Sequence, residues 1–486
     1  MPRPLVLVHG YSADAEAFHP VRDMLEENGI SATDINICNY ISLNNEVTIK
    51  DIAEGFDRAL ANHPALKNAG QDFDAIVHST GMLVVRSWLI NYGDDLSTNK
   101  RLKRLKHLVG LAPATWGSPQ AHKGRTWLGA LVKGNKKLGP DFLNAGDEVL
   151  RGLELGSSFT WDLACWDLVG DKPFYDKGGD TPYVAVFIGN EPYEGLSSVA
   201  NDPGTDGTVR WAGCALNTRK ITIDLTRAGI DGKRARISQW ADDRLDVPMI
   251  AVDGKNHATI IAEPDPEMIK LVLGFLRVND ERSHTDWHAG AQAYSNKAVP
   301  KMRVNPGAHA AGIGAEAQKL LDHLIGRQVG TEMEGWQQFV IHARDEWGDG
   351  ISDYLIDVLK KENGEWVPFA EMYTDVHAYG GDPSYRCFHL RLPSGISSSG
   401  TPVMVRINAS TGTELMAYRA YGTEDLGAGK SLAAGAKPVE IDITRLDDSG
   451  QGTLFFPFTT TMIEIVLNRE PLPFDRQSRL LTFENP

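Results

Sequence analysis

The chain has 486 residues, 42% of them hydrophobic and 23% charged, with a formal net charge of -15. This is an ordinary globular composition with room for two or three domains. The acidic balance excludes a nucleic-acid backbone as the first partner and argues against adhesion to anionic membranes by charge, so any contact with lipid is expected through an apolar surface.

From the N-terminus, Met1-Pro2-Arg3 leads directly into Pro4-Leu5-Val6-Leu7-Val8-His9-Gly10. That apolar run is too short for a secretory leader and ends in a turn. No stretch approaches the roughly 20 apolar residues of a spanning helix, so no transmembrane segment is expected. The chain is expected in the cytoplasm, or exported without a cleaved signal, or already processed. The compartment stays open among these.

Up to about residue 278 short β-type runs alternate with helical periods, the mark of a mostly parallel sheet wrapped by helices. Strands are predicted at Leu5–Val8, Ile35–Asn39, Phe73–His78, Leu105–Leu111, Tyr183–Ile188, Lys220–Leu225 and Val247–Val252. Between the second and third, Ile49, Ile52, Phe56 and Leu60 fall on one face of a helix. A closing helix is predicted over Met268 to Leu276. The stretch from about 118 to 180 is too long for a plain connection and too apolar for a solvated loop, with Trp127, Phe142, Phe159, Trp161 and Trp166 in it. It is expected to be a cap over the C-terminal ends of the strands, where such sheets bind ligands, or an extra helical layer. Residues 281–334 read as a linker with one helix at Ala315 to Ile325. From 335 to 486, β-rich segments around Phe339, Val405, Ile441 and Ile465 are separated by Gly, Ser, Asp and Pro, which predicts an antiparallel β-sandwich. Four cysteines (Cys38, Cys165, Cys214, Cys387) lack metal-binding spacing and are expected as free thiols.

The chemistry concentrates in four places. Val77-His78-Ser79-Thr80-Gly81 follows an apolar strand and opens a helix, the setting of a nucleophile elbow, although the pentapeptide alone also fits a serine capping a helix. A serine hydroxyl needs an adjacent base oriented by a carboxylate. His257, in the loop after the strand ending at Val252, is expected as that base. Asp206, in Gly204-Thr205-Asp206-Gly207-Thr208-Val209, is the expected acid, with Asp202 as its main competitor and Asp243 and Asp253 as weaker ones. Backbone N–H groups of Thr80 and of Tyr11, in His9-Gly10-Tyr11-Ser12, are expected to receive a developing oxyanion. His9, His78, Trp116, Trp127 and Trp161 are expected to face the substrate. No metal site or cofactor is expected. His284 and His288 have helical i, i+4 spacing but no third ligand, and no phosphate-binding glycine loop stands in strand context.

Together, the Pro4–Tyr11 stretch, Val77–Arg86, Thr205–Val209 and Asn256-His257 resemble bacterial triacylglycerol lipases and inositol-deacylase-like lipases of the α/β-hydrolase superfamily, over about residues 4 to 278. Leu111-Ala112-Pro113-Ala114-Thr115-Trp116-Gly117-Ser118-Pro119 resembles a further stretch of such lipases. At position 77 valine stands where the family usually has Gly or Ala. The resemblance implies an α/β-hydrolase domain over 1–280, here followed by the β-sandwich, and leaves room for a structural calcium near the acid loop. The expected activity is hydrolysis of hydrophobic acyl esters through an acyl-serine. Phospholipase, acyltransferase and thioesterase chemistry use the same triad, with Lys133, Lys136 and Lys137 as candidates for a phosphate headgroup. From another class, an inactive hydrolase fold used as a binding module is the rival. The sandwich is expected either to dock on a lipid or polymer surface or to serve as a structural partner.

Overall fold

In the computed structural model the described residues are 3–67, 71–91, 100–123, 146–227, 235–237, 247–303, 333–397, 401–421, 439–442 and 454–484, apart from 12, 14, 171–173, 176, 177, 179, 194–200, 373 and 475. The chain forms two compact units, one of residues 1–218 with 240–331, the other of 219–239 with 332–486.

In the first unit, strands β1 (Leu5–Val8), β2 (Ile35–Cys38), β3 (Phe73–His78), β4 (Leu105–Leu111) and β5 (Tyr183–Gly189) are laid down first. Two strands, β6 (Thr218–Asp224) and β7 (Ala235–Ile237), then join the second unit, and β8 (Met249–Val252) completes the first sheet. Its order is β2-β1-β3-β4-β5-β8, every pair parallel. β1, β3 and β5 are buried along their whole length, as continuous apolar runs require when helices cover both faces. The strand order reverses between β1 and β3, so the loops leaving these two strands open at the switch point where α/β sheets bind ligands. On one face Phe18, Val21, Leu25, Met268, Val272, Phe275 and Trp287 close the core. On the other, the helix Ile49–Asn62 buries Ile49, Ile52, Ala53, Phe56 and Leu60. Its start is set by a capping box, with Thr48 and Asp51 each accepting the other's backbone N–H.

Of the insert, the helices Asp147–Leu153 and Ser158–Asp167 are described. Trp127, Lys133, Lys136, Lys137 and the helix expected at Ala315 to Ile325 lie outside the described residues. Within the stretch read as a linker, the helix Glu281–Ser295 buries His284, Trp287, Ala291 and Ser295, and Trp287 Nε1 donates to the Leu271 carbonyl at 2.8 Å. His284 is thus a core residue stacked near Tyr183.

The second unit is a two-sheet sandwich built on β9 (Met333–Asp345), β10 (Tyr354–Glu362), β11 (Glu365–Pro368), β12 (Thr374–Ala378), β13 (Tyr385–Pro393), β14 (Val403–Ala409), β15 (Met416–Arg419), β16 (Val439–Asp442) and β17 (Thr460–Pro471). One sheet runs β12-β13-β9-β17-β6-β7, with β15 also on β17; the other runs β11-β10-β14-β16. Ile223, Phe339, Ile341 and Phe388 from the first meet Tyr354, Val403, Ile407 and Ile441 from the second in one apolar core. Two expectations are corrected here. The strand predicted at Lys220–Leu225 exists, but it pairs in the sandwich and not in the parallel sheet. The physical sign is its alternation: Ile221 and Ile223 point inward while Lys220 and Thr222 do not, as on a half-covered sheet. The sandwich is also not purely antiparallel, because β17 runs parallel to β9 from Thr460 to Leu467. None of the four cysteines is in a disulfide. Among the described residues no helix is long and apolar enough to cross a membrane.

Candidate active site

Ser79 sits at the end of β3 with φ of +52°, the left-handed conformation that a sharp strand-to-helix turn forces on its central residue. Its carbonyl accepts from Met82 N at 3.2 Å and Ala114 N at 3.0 Å, which fixes the turn. A β-carbon on Gly81 would lie 2.5 Å from the Val8 carbonyl oxygen, so this position must be glycine for β1 and the elbow helix Gly81–Asn91 to pack. Valine at 77 is accommodated: it is buried, paired with Val8 on one side and Gly110 on the other.

His257 Nε2 lies 3.0 Å from Ser79 Oγ, and His257 Nδ1 lies 3.0 Å from Asp206 Oδ2. The three residues are buried, Asp206 completely. Asp206 Oδ1 accepts the backbone N–H groups of Thr208 and Val209 at 3.0 and 2.9 Å, and the His257 N–H donates to the Asp206 carbonyl at 3.0 Å. Asp206 is therefore held by its own loop while one oxygen is left for the imidazole. Asp202 is elsewhere: its carboxylate lies 3.5 Å from Gln120 Nε2 and its carbonyl accepts from Thr205. Asp253 pairs with Lys301 at 2.7 Å, and Asp243 lies outside the described residues.

The stretch after β4 is bonded to the Asp206 loop and the turn that follows it. Thr115 Oγ1 donates to the Cys214 carbonyl, Ser118 Oγ to the Thr208 carbonyl at 2.6 Å, and Trp116 N to the Gly213 carbonyl. Burial, and then the neighbouring charge of Asp206, raise the Tyr193 phenol well above its ordinary pKa, while its hydroxyl bonds Thr208.

Next to Ser79, Thr80 is buried, and among the described residues neither its N–H nor its hydroxyl has a hydrogen-bond partner. Gly10 lies against Ser79: a β-carbon there would stand 2.8 Å from Ser79 Cβ and 3.4 Å from its Oγ. Tyr11 follows, half-buried, and Ser12 lies outside the described residues. The loop is held from β2. His9 Nδ1 donates to the Gly10 carbonyl at 2.8 Å while Nε2 accepts Tyr40 N at 3.2 Å, which makes His9 a neutral imidazole. The Tyr40 hydroxyl donates to the His9 carbonyl at 2.8 Å, and the two rings stack 4.2 Å apart.

These contacts locate four of the five side chains expected to face substrate. The ring of His9 is committed to the Gly10 carbonyl and the Tyr40 N–H. His78 is buried, with Nε2 donating to the His257 carbonyl at 2.9 Å. Trp116 and Trp161 are buried in the packing around the insert, and among the described residues neither makes a ring contact or hydrogen bond with Ser79 or His257. Trp127 lies outside the described residues. Sequence reasoning missed Tyr40 entirely, since nothing local marks a tyrosine after β2 as a clamp. It also passed over the pair Arg86–Asp167, both fully buried, with Nε–Oδ2 at 2.7 Å and Nη2–Oδ1 at 2.9 Å. An arginine as the one charged residue of the elbow helix was its visible signal.

No protein-family model matches the sequence, and no curated protein matches it. Among solved structures, phospholipase PlaB from Legionella pneumophila is similar to this chain at 20% identity with a TM-score of 0.72, over 100% of this chain and 97% of that one. The same phospholipase in complex with thio-NAD is similar at 20% identity with a TM-score of 0.71, over 99% and 97%. At this identity the likeness shows the fold alone: the α/β-hydrolase fold followed by a β-rich C-terminal part.

Proposed function

We propose that the protein is a serine-dependent carboxylic ester hydrolase acting on hydrophobic acyl esters. The observation that carries this reading is the unbroken relay from Ser79 Oγ through His257 to Asp206, on a serine held in the elbow conformation. His257 Nε2 removes the hydroxyl proton as Ser79 Oγ adds to the ester carbonyl, and Asp206 holds the imidazole in the Nδ1–H tautomer and stabilises the imidazolium. The Thr80 N–H and the Tyr11 N–H receive the oxyanion, and donors of this kind lower the barrier by about 3 kcal/mol each. His257 then protonates the leaving alkoxide, which departs as the alcohol. Water, deprotonated by His257, cleaves the acyl-serine and frees the carboxylic acid.

The test is release of p-nitrophenol from short to long acyl esters by wild type and Ser79→Ala. Loss of turnover in the variant is expected, with a preference for longer chains. Equal rates in both proteins would overturn the nucleophile.

One observation favours a narrower second reading. The similar structure over nearly the whole chain is named a phospholipase, which makes the ester of a glycerophospholipid the first natural substrate to try. Fatty-acid release from phosphatidylglycerol and phosphatidylcholine vesicles, lost in Ser79→Ala, is the expected result; turnover of neutral esters alone would reject this reading. Transfer of the acyl group to an alcohol acceptor in place of water would mark an acyltransferase.

A further inference from the structure

Beside the triad lies a second histidine that the reaction above does not use. His78 directly precedes the nucleophile, is buried, and its ring centroid lies 4.8 Å from that of His257. The two rings share no hydrogen bond. Instead His78 Nε2 donates to the main-chain carbonyl of His257 at 2.9 Å, across 179 residues of sequence. With Nε2 carrying the proton, Nδ1 is an unprotonated acceptor, and it is buried with no hydrogen-bond partner among the described residues. Nδ1 faces the oxyanion loop, 3.1 Å from where a β-carbon on Gly10 would be. Phe18 meets the ring edge-on and completes its cage.

We infer that His78 is a positioning residue: its Nε2–H, given to the His257 carbonyl, sets the base loop at the height where Nε2 of His257 meets Ser79 Oγ. The geometry explains why one bond has this reach. His257 sits between β8 and the short helix Thr259–Ala262, and its backbone has two anchors toward the site: its N–H on the Asp206 carbonyl and its C=O on His78. The first ties the base to the acid and the second ties it to the strand that carries the nucleophile. Removing the second leaves the base–acid pair intact but free to shift against Ser79, and a shift of about 1 Å is enough to cost roughly a hundredfold in rate. Chemistry keeps the donor constant. Burial, and then the nearby His257, push the His78 pKa down to about 3, so the ring stays neutral in the working range. His78 itself moves no proton.

This inference rests on the hydrolase reading, and the experiment separates the two. The rate at which a fluorophosphonate labels the protein is measured for wild type, Ser79→Ala, His78→Gln and His78→Asn, alongside thermal melting. A glutamine carboxamide nitrogen reaches the place of Nε2 and restores the bond; an asparagine nitrogen reaches only the place of Nδ1. Wild type is expected to label and Ser79→Ala not to. His78→Gln should label within about threefold of wild type and His78→Asn at least tenfold more slowly at an equal melting temperature. Equal rates in the Gln and Asn variants, fast or slow, would overturn the role given to His78 while leaving the triad standing. An Asn variant that melts below the assay temperature while the Gln variant does not would place the bond in folding and overturn it as well. Absence of label in wild type would remove the hydrolase reading, and this inference with it.

Discussion

His257 lies 178 residues from Ser79 and 51 from Asp206, yet all three meet because each ends a strand of one parallel sheet or a loop leaving it. At this scale the choice between the two aspartates becomes a measurement. Asp206→Asn should lower kcat on p-nitrophenyl esters by about 10⁴-fold, through loss of the Nδ1–H tautomer, whereas Asp202→Asn should stay within about twofold of wild type. A large loss in the Asp202 variant would reverse the assignment. Gly10→Ala places a methyl group 2.8 Å from Ser79 Cβ; kcat should fall about a hundredfold with a smaller change in melting temperature. His78 also contributes a pH dependence. Its folded pKa is depressed to about 3, below the unfolded value of about 6.5. The unfolded chain therefore binds the proton more readily, and stability falls as pH drops from about 6.5 toward 3. Melting curves should show His78→Gln losing less stability than wild type across that window.

Elements are joined by a few buried polar contacts as well as by their apolar faces. The helix Ser158–Asp167 meets the elbow helix through Asp167 and Arg86, and Arg86 also donates to the Thr115 carbonyl while the Tyr175 hydroxyl donates to Asp167. Removing one charge strands the other, so Asp167→Asn should destabilise the fold by about 3 kcal/mol in denaturant unfolding. Replacing both, as Arg86→Met with Asp167→Leu, should cost less than the single change. In the sandwich, Glu464 of β17 meets Lys220 of β6 and Arg344 of β9 at 3.2 and 2.9 Å. Burial by itself would raise the Glu464 carboxyl, but these two cations override it and hold it below the usual glutamate range. Its stabilisation is thus complete above about pH 4.3 and is lost as pH falls through the lowered folded value. Glu464→Gln should lower the melting temperature of the sandwich at pH 7 and make little difference once the wild-type carboxyl is protonated.

For the whole molecule, the crossing of residues 219–239 into the sandwich governs what can be removed. Cutting at 334, where the composition changes, would leave Ile221, Ile223 and Leu225 without the core they occupy. A chain ending there should aggregate, as seen in soluble yield and light scattering, and replacing these three residues by polar ones should improve recovery. A soluble, monodisperse fragment with full esterase activity would refute this dependence.

Local pattern was enough to determine the alternating strands and helices and the strand–turn–helix around Ser79, because each depends on residues close in sequence, whereas it left Asp206 and Asp202 both open as partners for His257. The apolar face of Ile49, Ile52, Phe56 and Leu60 is of the same kind. Tertiary structure alone decided the partner of Lys220–Leu225, because a β-strand's pairing is completed by residues far away: Thr222 meets Glu464 across 242 positions. It also decided what the rings of His9 and His78 do. A histidine beside a catalytic turn has the same sequence whether it faces a substrate or a carbonyl, and only the folded chain brings the Tyr40 and His257 backbones to those nitrogens.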